Sequence, residues 1–141
     1  MGARSKSTLF LMEQLIVIAV FAICAAVCVK ILAVSYLMTV NAVDTRNALL
    51  AAESAAESHK AFRGDGDRIA EIMGGEVRGN TVVVYYDSNW VISCETYAAF
   101  VLQLTKSTDD ALVIFADISV SRIITGDELV SFTAAVRRGA G

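Results

Sequence analysis

The longest apolar stretch of the chain covers residues 9–43, LFLMEQLIVIAVFAICAAVCVKILAVSYLMTVNAV, and it contains only two charged residues, Glu13 and Lys30. Residues 15–29 carry no charged or strongly polar side chain. As a helix this inner run alone spans about 22 Å, and the whole stretch is long enough for a bilayer core of about 30 Å. A lysine can extend its ammonium to the headgroups. The pattern therefore predicts one transmembrane helix over residues 9–43.

The helical pattern continues over residues 44–63, where small side chains recur at spacings of three and four. Alanine is the strongest helix former, so this segment extends the helix beyond the membrane. The charged residues of this segment lie mostly away from the stripe of small side chains. The two carboxylates four positions apart, Glu53 and Glu57, therefore indicate a solvated face and not a pair for acid–base catalysis. The stripe consists of Ala48, Ala52, Ala55, Ala56 and the only histidine, His59.

Two glycines and two aspartates at 64–67 predict the end of this helix. A short helix over residues 68–73 follows, with Asp67 as its N-cap and Gly74-Gly75 at its end. Residues 64–141 form the predicted small domain, which begins with this short helix.

The period then changes to that of β-strands. Residues 81–87, 96–107 and 111–123 are rich in β-branched and aromatic side chains and are separated by turn signals. In the third of these segments Leu112, Ile114, Ala116, Ile118 and Val120 alternate onto one face. Residues 128–138 fit a strand and a helix equally. Short connections predict an antiparallel sheet packed on the helix extension, an α+β fold.

Charge is distributed unevenly along the chain. The leader, residues 1–8, carries Arg4 and Lys6 and no acid, whereas residues 44–141 carry fourteen acids and nine bases, a net charge of −5. Positive flanks favour the cytoplasmic side, so we expect the N-terminus inside and the domain outside. An acidic exported domain excludes nucleic acid as an expected partner.

The residues that carry chemistry are few. Cys24 and Cys28 lie four apart inside the apolar stretch as small packing residues, and Cys94 is left unpaired. No nucleophile motif, phosphate-binding glycine loop or zinc-ligand spacing is present. We therefore expect no enzymatic activity, no catalytic residue, no metal site and no cofactor.

Glu13 is the unusual residue of the apolar stretch. A carboxylate at bilayer depth costs a few kcal/mol unless it is neutral, paired or at the surface. Either Glu13 lies at the inner headgroups and the span begins at Leu15, or it is retained as a pairing charge in an assembly of such helices. A conventional signal peptide is disfavoured, because the apolar run continues past its small residues.

The segment LFLMEQLIVIAVFAI resembles the N-terminal signature of type IV prepilins and type II secretion pseudopilins. The resemblance covers roughly residues 5–60. It implies cleavage between Thr8 and Leu9 by a prepilin peptidase, and methylation of the new amine. It further implies that Glu13, at the fifth mature position, pairs with the amine of a neighbouring subunit in a filament. A small sheet domain on the helix extension is also similar to the pilin architecture.

Two positions depart from that family. Thr8 stands where the family has glycine, and a β-branched residue is stiffer and bulkier at a cleavage point. Lys30 stands where many major pilins have a proline, which indicates a straighter helix and a minor or divergent subunit. Two hypotheses follow. The first is a pilin-like subunit with other pilin-like subunits, the peptidase and the lipid bilayer as partners. The second is an uncleaved, single-pass, membrane-anchored extracellular binding module.

Overall fold

One helix, α1, occupies Gly2–Ala61 in the computed structural model, which describes residues 2–139. The chain contains no proline, so no residue of α1 lacks its backbone donor or forces a kink. The helix ends where Arg63 and Gly64 take φ values of 51° and 76°. There the Gly64 N–H donates to the carbonyl of His59 at 3.0 Å, which satisfies one of the last helical carbonyls.

The chain divides after Ala42 into two units, Met1–Ala42 and Val43–Gly141, here called the helical unit and the sheet unit. In the helical unit the apolar side chains are solvent-exposed; Phe21, for example, is 74% exposed. In the described part of the chain, α1 is the one helix long and apolar enough to cross a membrane, judged by length and composition.

The sheet unit begins with the last part of α1 and continues with a second helix, α2, over Gly66–Met73. Asp65 occupies its N-cap position without a side-chain hydrogen bond, so the prediction of Asp67 as N-cap is wrong by two residues. Gly74 ends α2 in the left-handed conformation. Gly75 follows, and it lies so close to the backbone of Val83 that a Cβ at Gly75 would be 2.5 Å from the Val83 carbonyl oxygen.

Five antiparallel strands form one sheet in sequence order: β1 Glu76–Arg78, β2 Thr81–Tyr86, β3 Phe100–Asp109, β4 Val113–Arg122 and β5 Glu128–Arg137. The register places Leu102 opposite both Val84 and Val120, and Val120 opposite Val130. These apolar residues form a row across the sheet. The predicted α+β fold with an antiparallel meander is therefore confirmed.

The core of the sheet unit lies between one face of the sheet and the C-terminal part of α1. The alanine stripe of α1 is buried against alternate residues of β2, β3 and β4, and α2 contributes further apolar side chains. Apart from His59, the fully buried side chains of α1 are alanines, so most of the volume of this core comes from the sheet and α2. The fully buried large side chains are Ile69, Leu102, Ile118, His59, Val84 and Val120.

Strands β5, β4 and β1 differ in how far the sequence predicts them. Residues 128–137, whose pattern fitted a strand and a helix, form strand β5. The alternation predicts Leu112 on the same strand face as Ile114, but Leu112 precedes β4 and is 66% exposed. It belongs to the turn in which the Asp110 N–H donates to the Val113 carbonyl at 3.1 Å. Strand β1 was not predicted, since three exposed residues give no periodic signal.

Candidate assembly interface

Thr8, Leu9 and Glu13 all lie within α1, and the helix is continuous across the Thr8–Leu9 bond. The Thr8 hydroxyl donates to the carbonyl of Arg4 at 2.8 Å, a bond between adjacent turns of the same helix. Leu9 and Glu13 are one turn apart on one side of the helix. The predicted processing and assembly residues are therefore close together, at the N-terminal end of the apolar surface.

The helical unit presents an apolar surface over its whole circumference. Side chains at successive positions around the helix are exposed, including Leu15, Ile16, Val17 and Ile18. An apolar surface of this extent is unfavourable in water and is stable only when lipid or other protein covers it. By length and composition this helix is a candidate membrane span.

Glu13 and Lys30 interrupt this surface. Both side chains are exposed. Within residues 2–139, neither forms an ion pair with another residue of its own chain. Both charges are thus available to groups outside the chain.

The three cysteines are free thiols. Cys24 and Cys28 are exposed on the helical unit, and Cys94 is exposed in the sheet unit. Across the described residues, no group of three or more histidine, cysteine, aspartate or glutamate side chains is arranged to hold a metal ion.

A cluster around Asp44 ties α1 to the sheet. The Asp44 carboxylate accepts a hydrogen bond from Arg122 at 2.7 Å and one from the Trp90 indole at 3.4 Å. Trp90 in turn stacks on Phe100, with ring centroids 4.1 Å apart. The helix, β4 and the loop after β2 therefore meet at one carboxylate, a contact that sequence reasoning missed because Asp44 and Arg122 are 78 positions apart.

At the other end of this helical segment, His59 lines a cavity of about 260 Å³. The cavity is also lined by the carboxylate-bearing Asp67, by Asn80 and by Lys106. The Asn80 side-chain amide donates to the Lys106 carbonyl at 2.6 Å, which joins the turn after β1 to β3. A Cβ on Gly64 would lie 3.3 Å from the His59 ring, so glycine leaves room for the imidazole.

His59 is fully buried, and its Nε2 is 3.5 Å from the carbonyl oxygen of Ile114. Its Nδ1 has no hydrogen-bond partner among the described residues. Burial lowers the pKa of His59, the nearby Lys106 charge lowers it further, and the Ile114 carbonyl opposes both effects. The imidazole is therefore held neutral, with Nδ1 able to accept a hydrogen bond from a small polar molecule.

Comparison of the chain with protein-family models, with curated protein sequences and with solved structures finds no match.

Proposed function

We propose that the protein is a pilin-like structural subunit of a type IV pilus or a type II secretion-like pseudopilus, which assembles through its N-terminal helix. The observation that carries the proposal is the exposed apolar helical unit with a single carboxylate, Glu13, near its start. This helix continues as the alanine-faced helix that packs on the antiparallel sheet.

The length of the apolar surface supports an assembly rather than a lipid anchor alone. A bilayer core of about 30 Å covers about 20 helical residues. The apolar stretch has 35 positions, which is about 52 Å of helix. Tilt accommodates part of the surplus, but helices of neighbouring subunits cover it without leaving the apolar side chains in water.

Glu13 is the proposed assembly residue. A carboxylate at this depth is stabilised when it meets a positive group, and no such group pairs with it within the described residues of its own chain. In the proposed assembly a neighbouring subunit supplies the positive group. The lipid bilayer, a prepilin peptidase and other pilin-like subunits are the proposed partners.

The proposed orientation follows from the leader. Arg4 and Lys6 are retained on the cytoplasmic side, and the acidic sheet unit lies outside the membrane or on the surface of a filament.

Processing is tested by the intact mass and N-terminal residue of the protein from its own membrane, with the peptidase present. The proposal expects a chain that begins at methylated Leu9. A chain that still begins at Met1 or Gly2 contradicts processing of the pilin type.

Assembly is tested with the substitution Glu13→Leu, measured by cross-linking between copies in the membrane and by the yield of sedimentable filament. The variant should insert normally, since an apolar residue is favourable there, but should not assemble. Gln14→Leu is the matched control, because it removes a neighbouring polar side chain without removing the charge. Assembly of Glu13→Leu at the wild-type level argues against a pairing role.

The second candidate function is an uncleaved, single-pass, membrane-anchored binding module. The observation that favours it is the unbroken helix at Thr8, because a peptide bond within a helix must unwind before a peptidase can cut it. Thr8→Gly distinguishes the candidates. Faster processing of this variant supports a slow pilin-type substrate, and no processing of either form supports the anchor.

A further inference from the structure

We infer that Glu13 of one copy forms an ion pair with Lys30 of a neighbouring, parallel copy that is displaced along the helix axis by 17 residues. This inference rests on the proposed function, since it names the partner of the proposed assembly residue. It differs from the pairing that the family resemblance implies, because Lys30 is present whether or not the leader is cleaved.

Glu13 and Lys30 are isolated charges in the apolar stretch. Glu13 and Lys30 are the only charged residues between positions 9 and 43. Both are exposed on an otherwise apolar helix. Ionisable side chains at membrane depth are costly and pair with one another where they occur, so two complementary charges on an assembling surface favour each other.

Geometry excludes pairing within one chain. At about 1.5 Å per residue, 17 residues separate the two positions by about 26 Å along a straight helix. The same displacement between parallel copies brings the carboxylate of one copy level with the ammonium of the next. At about 100° per residue the two side chains point about 100° apart around the helix. Each copy therefore uses different sides for the two contacts, an arrangement that propagates instead of closing as a symmetric dimer.

The same displacement also brings apolar segments of the two copies together. A displacement of 17 residues places residues 31–43 of one copy beside residues 14–26 of the next. Apart from Gln14 and a few small polar residues, both segments are apolar and exposed. The register that pairs the charges thus also covers the part of the helix beyond Lys30.

After Lys30, the next basic residue in the C-terminal direction is Arg46, and it is a poorer partner. Pairing Glu13 with Arg46 requires a displacement of 33 residues. Residues 15–28 of one copy would then lie beside 48–61 of the next, where the alanine stripe is already buried against the sheet. Lys30 lies in a segment whose whole circumference is exposed.

The test is charge reversal in the full chain, expressed in its own membrane and measured by cross-linking between copies. E13K and K30E each place like charges together, and each alone should reduce assembly at least about tenfold. The double variant E13K/K30E restores the pair in reverse and should recover most of the wild-type yield. Co-expression of the two single variants should also recover assembly, because the two chains alternate with complementary charges. Membrane fractionation of every variant verifies insertion.

The outcomes separate this inference from the proposed function. Suppose that the wild-type chain assembles. If K30E then assembles normally, or if E13K/K30E does not recover assembly, the Lys30 pairing is overturned and the pilin-like function still stands. The absence of any assembly in the wild-type chain overturns the proposed function itself. Lys30→Met serves as a neutral control, since it removes the charge but keeps the length of the side chain; we expect an intermediate loss.

Discussion

The Asp44 carboxylate accepts a hydrogen bond from the Arg122 guanidinium at 2.7 Å, and their side chains are only 16% and 24% exposed. This ion pair joins the first turn of the sheet unit's helix to the last residue of β4. A charged hydrogen bond with little solvent contact is worth more than a surface pair, because removal of one partner leaves the other charge poorly solvated.

Asp44→Asn should therefore lower the free energy of unfolding of the sheet unit by about 1–2 kcal/mol. The measurement is denaturant unfolding of the full chain in detergent micelles, with amide hydrogen exchange in β3 and β4 as the local readout. Glu95→Gln is the control, because the Glu95–Arg78 pair is mostly exposed and its loss should change stability much less. Equal effects of the two substitutions argue against a stabilising role for the Asp44 pair.

Ala52 is fully buried between α1 and the sheet. Ala52→Leu should destabilise the sheet unit by about 1–3 kcal/mol, because a larger side chain at a fully buried position must displace the side chains packed around it. Ser54→Leu is the matched control on the exposed side of the same helix. The prediction fails if Ala52→Leu has the same unfolding midpoint as Ser54→Leu.

Gly75→Ala should cost about 1–3 kcal/mol, because the new Cβ would lie 2.5 Å from the backbone oxygen of Val83. Gly79→Ala tests a different effect: its position is open, but its φ of 64° disfavours a side chain by about 1 kcal/mol. We expect Gly75→Ala to lower the thermal midpoint more than Gly79→Ala. The reverse order would show that backbone conformation, and not the approach to β2, limits this segment.

The buried His59 predicts a pH dependence of stability. Its folded-state pKa lies below the usual 6.5, so the unfolded chain binds the proton more readily. The stability contributed by neutral His59 is therefore complete above pH 6.5 and is lost as the pH falls below that value and through the lowered folded pKa.

Unfolding of the wild-type chain and of His59→Gln between pH 7.5 and about 5 measures this contribution. The variant should lose the slope in that window while the wild-type chain retains it. Glu95 and Asp117 also have lowered pKa values, but their usual values of 4.5 and 3.8 place their effect at lower pH. A wild-type chain that becomes more stable on acidification from pH 7 to 5 contradicts the prediction.

Local periodicity was sufficient to predict most of the fold. The alanine spacing identified the buried face of α1, and alternation identified β2, β3 and β4. Residues 128–137 were ambiguous because Leu129, Phe132 and Val136, at spacings of three and four, also fit one face of a helix. Their strand conformation depends on pairing with β4, for example Ile118 opposite Phe132, which local sequence does not encode.

For the candidate interface too, some residues can be selected from the sequence, whereas other contacts exist only in the folded chain. Glu13 was selected because a carboxylate contrasts with its apolar neighbours, whereas Thr8 and Leu9 were selected by the prepilin resemblance. The roles of all three residues stay predictions. The Asp44 cluster and the His59 cavity were not found, because their members come from different strands and loops. His59 and Ile114, for example, are 55 positions apart and meet only when the helix packs on the sheet.

Trp90 is the only tryptophan of the chain, and it lies against Asp44 and Phe100 where the helix meets the sheet. Its intrinsic fluorescence therefore reports on this junction alone. Exposure of the indole to water should shift its emission to longer wavelength when the helix leaves the sheet. Changes confined to residues 2–42 contribute no tryptophan signal of their own. The protein thus carries a spectroscopic probe that follows folding of the sheet unit in the presence of lipid, detergent or other copies.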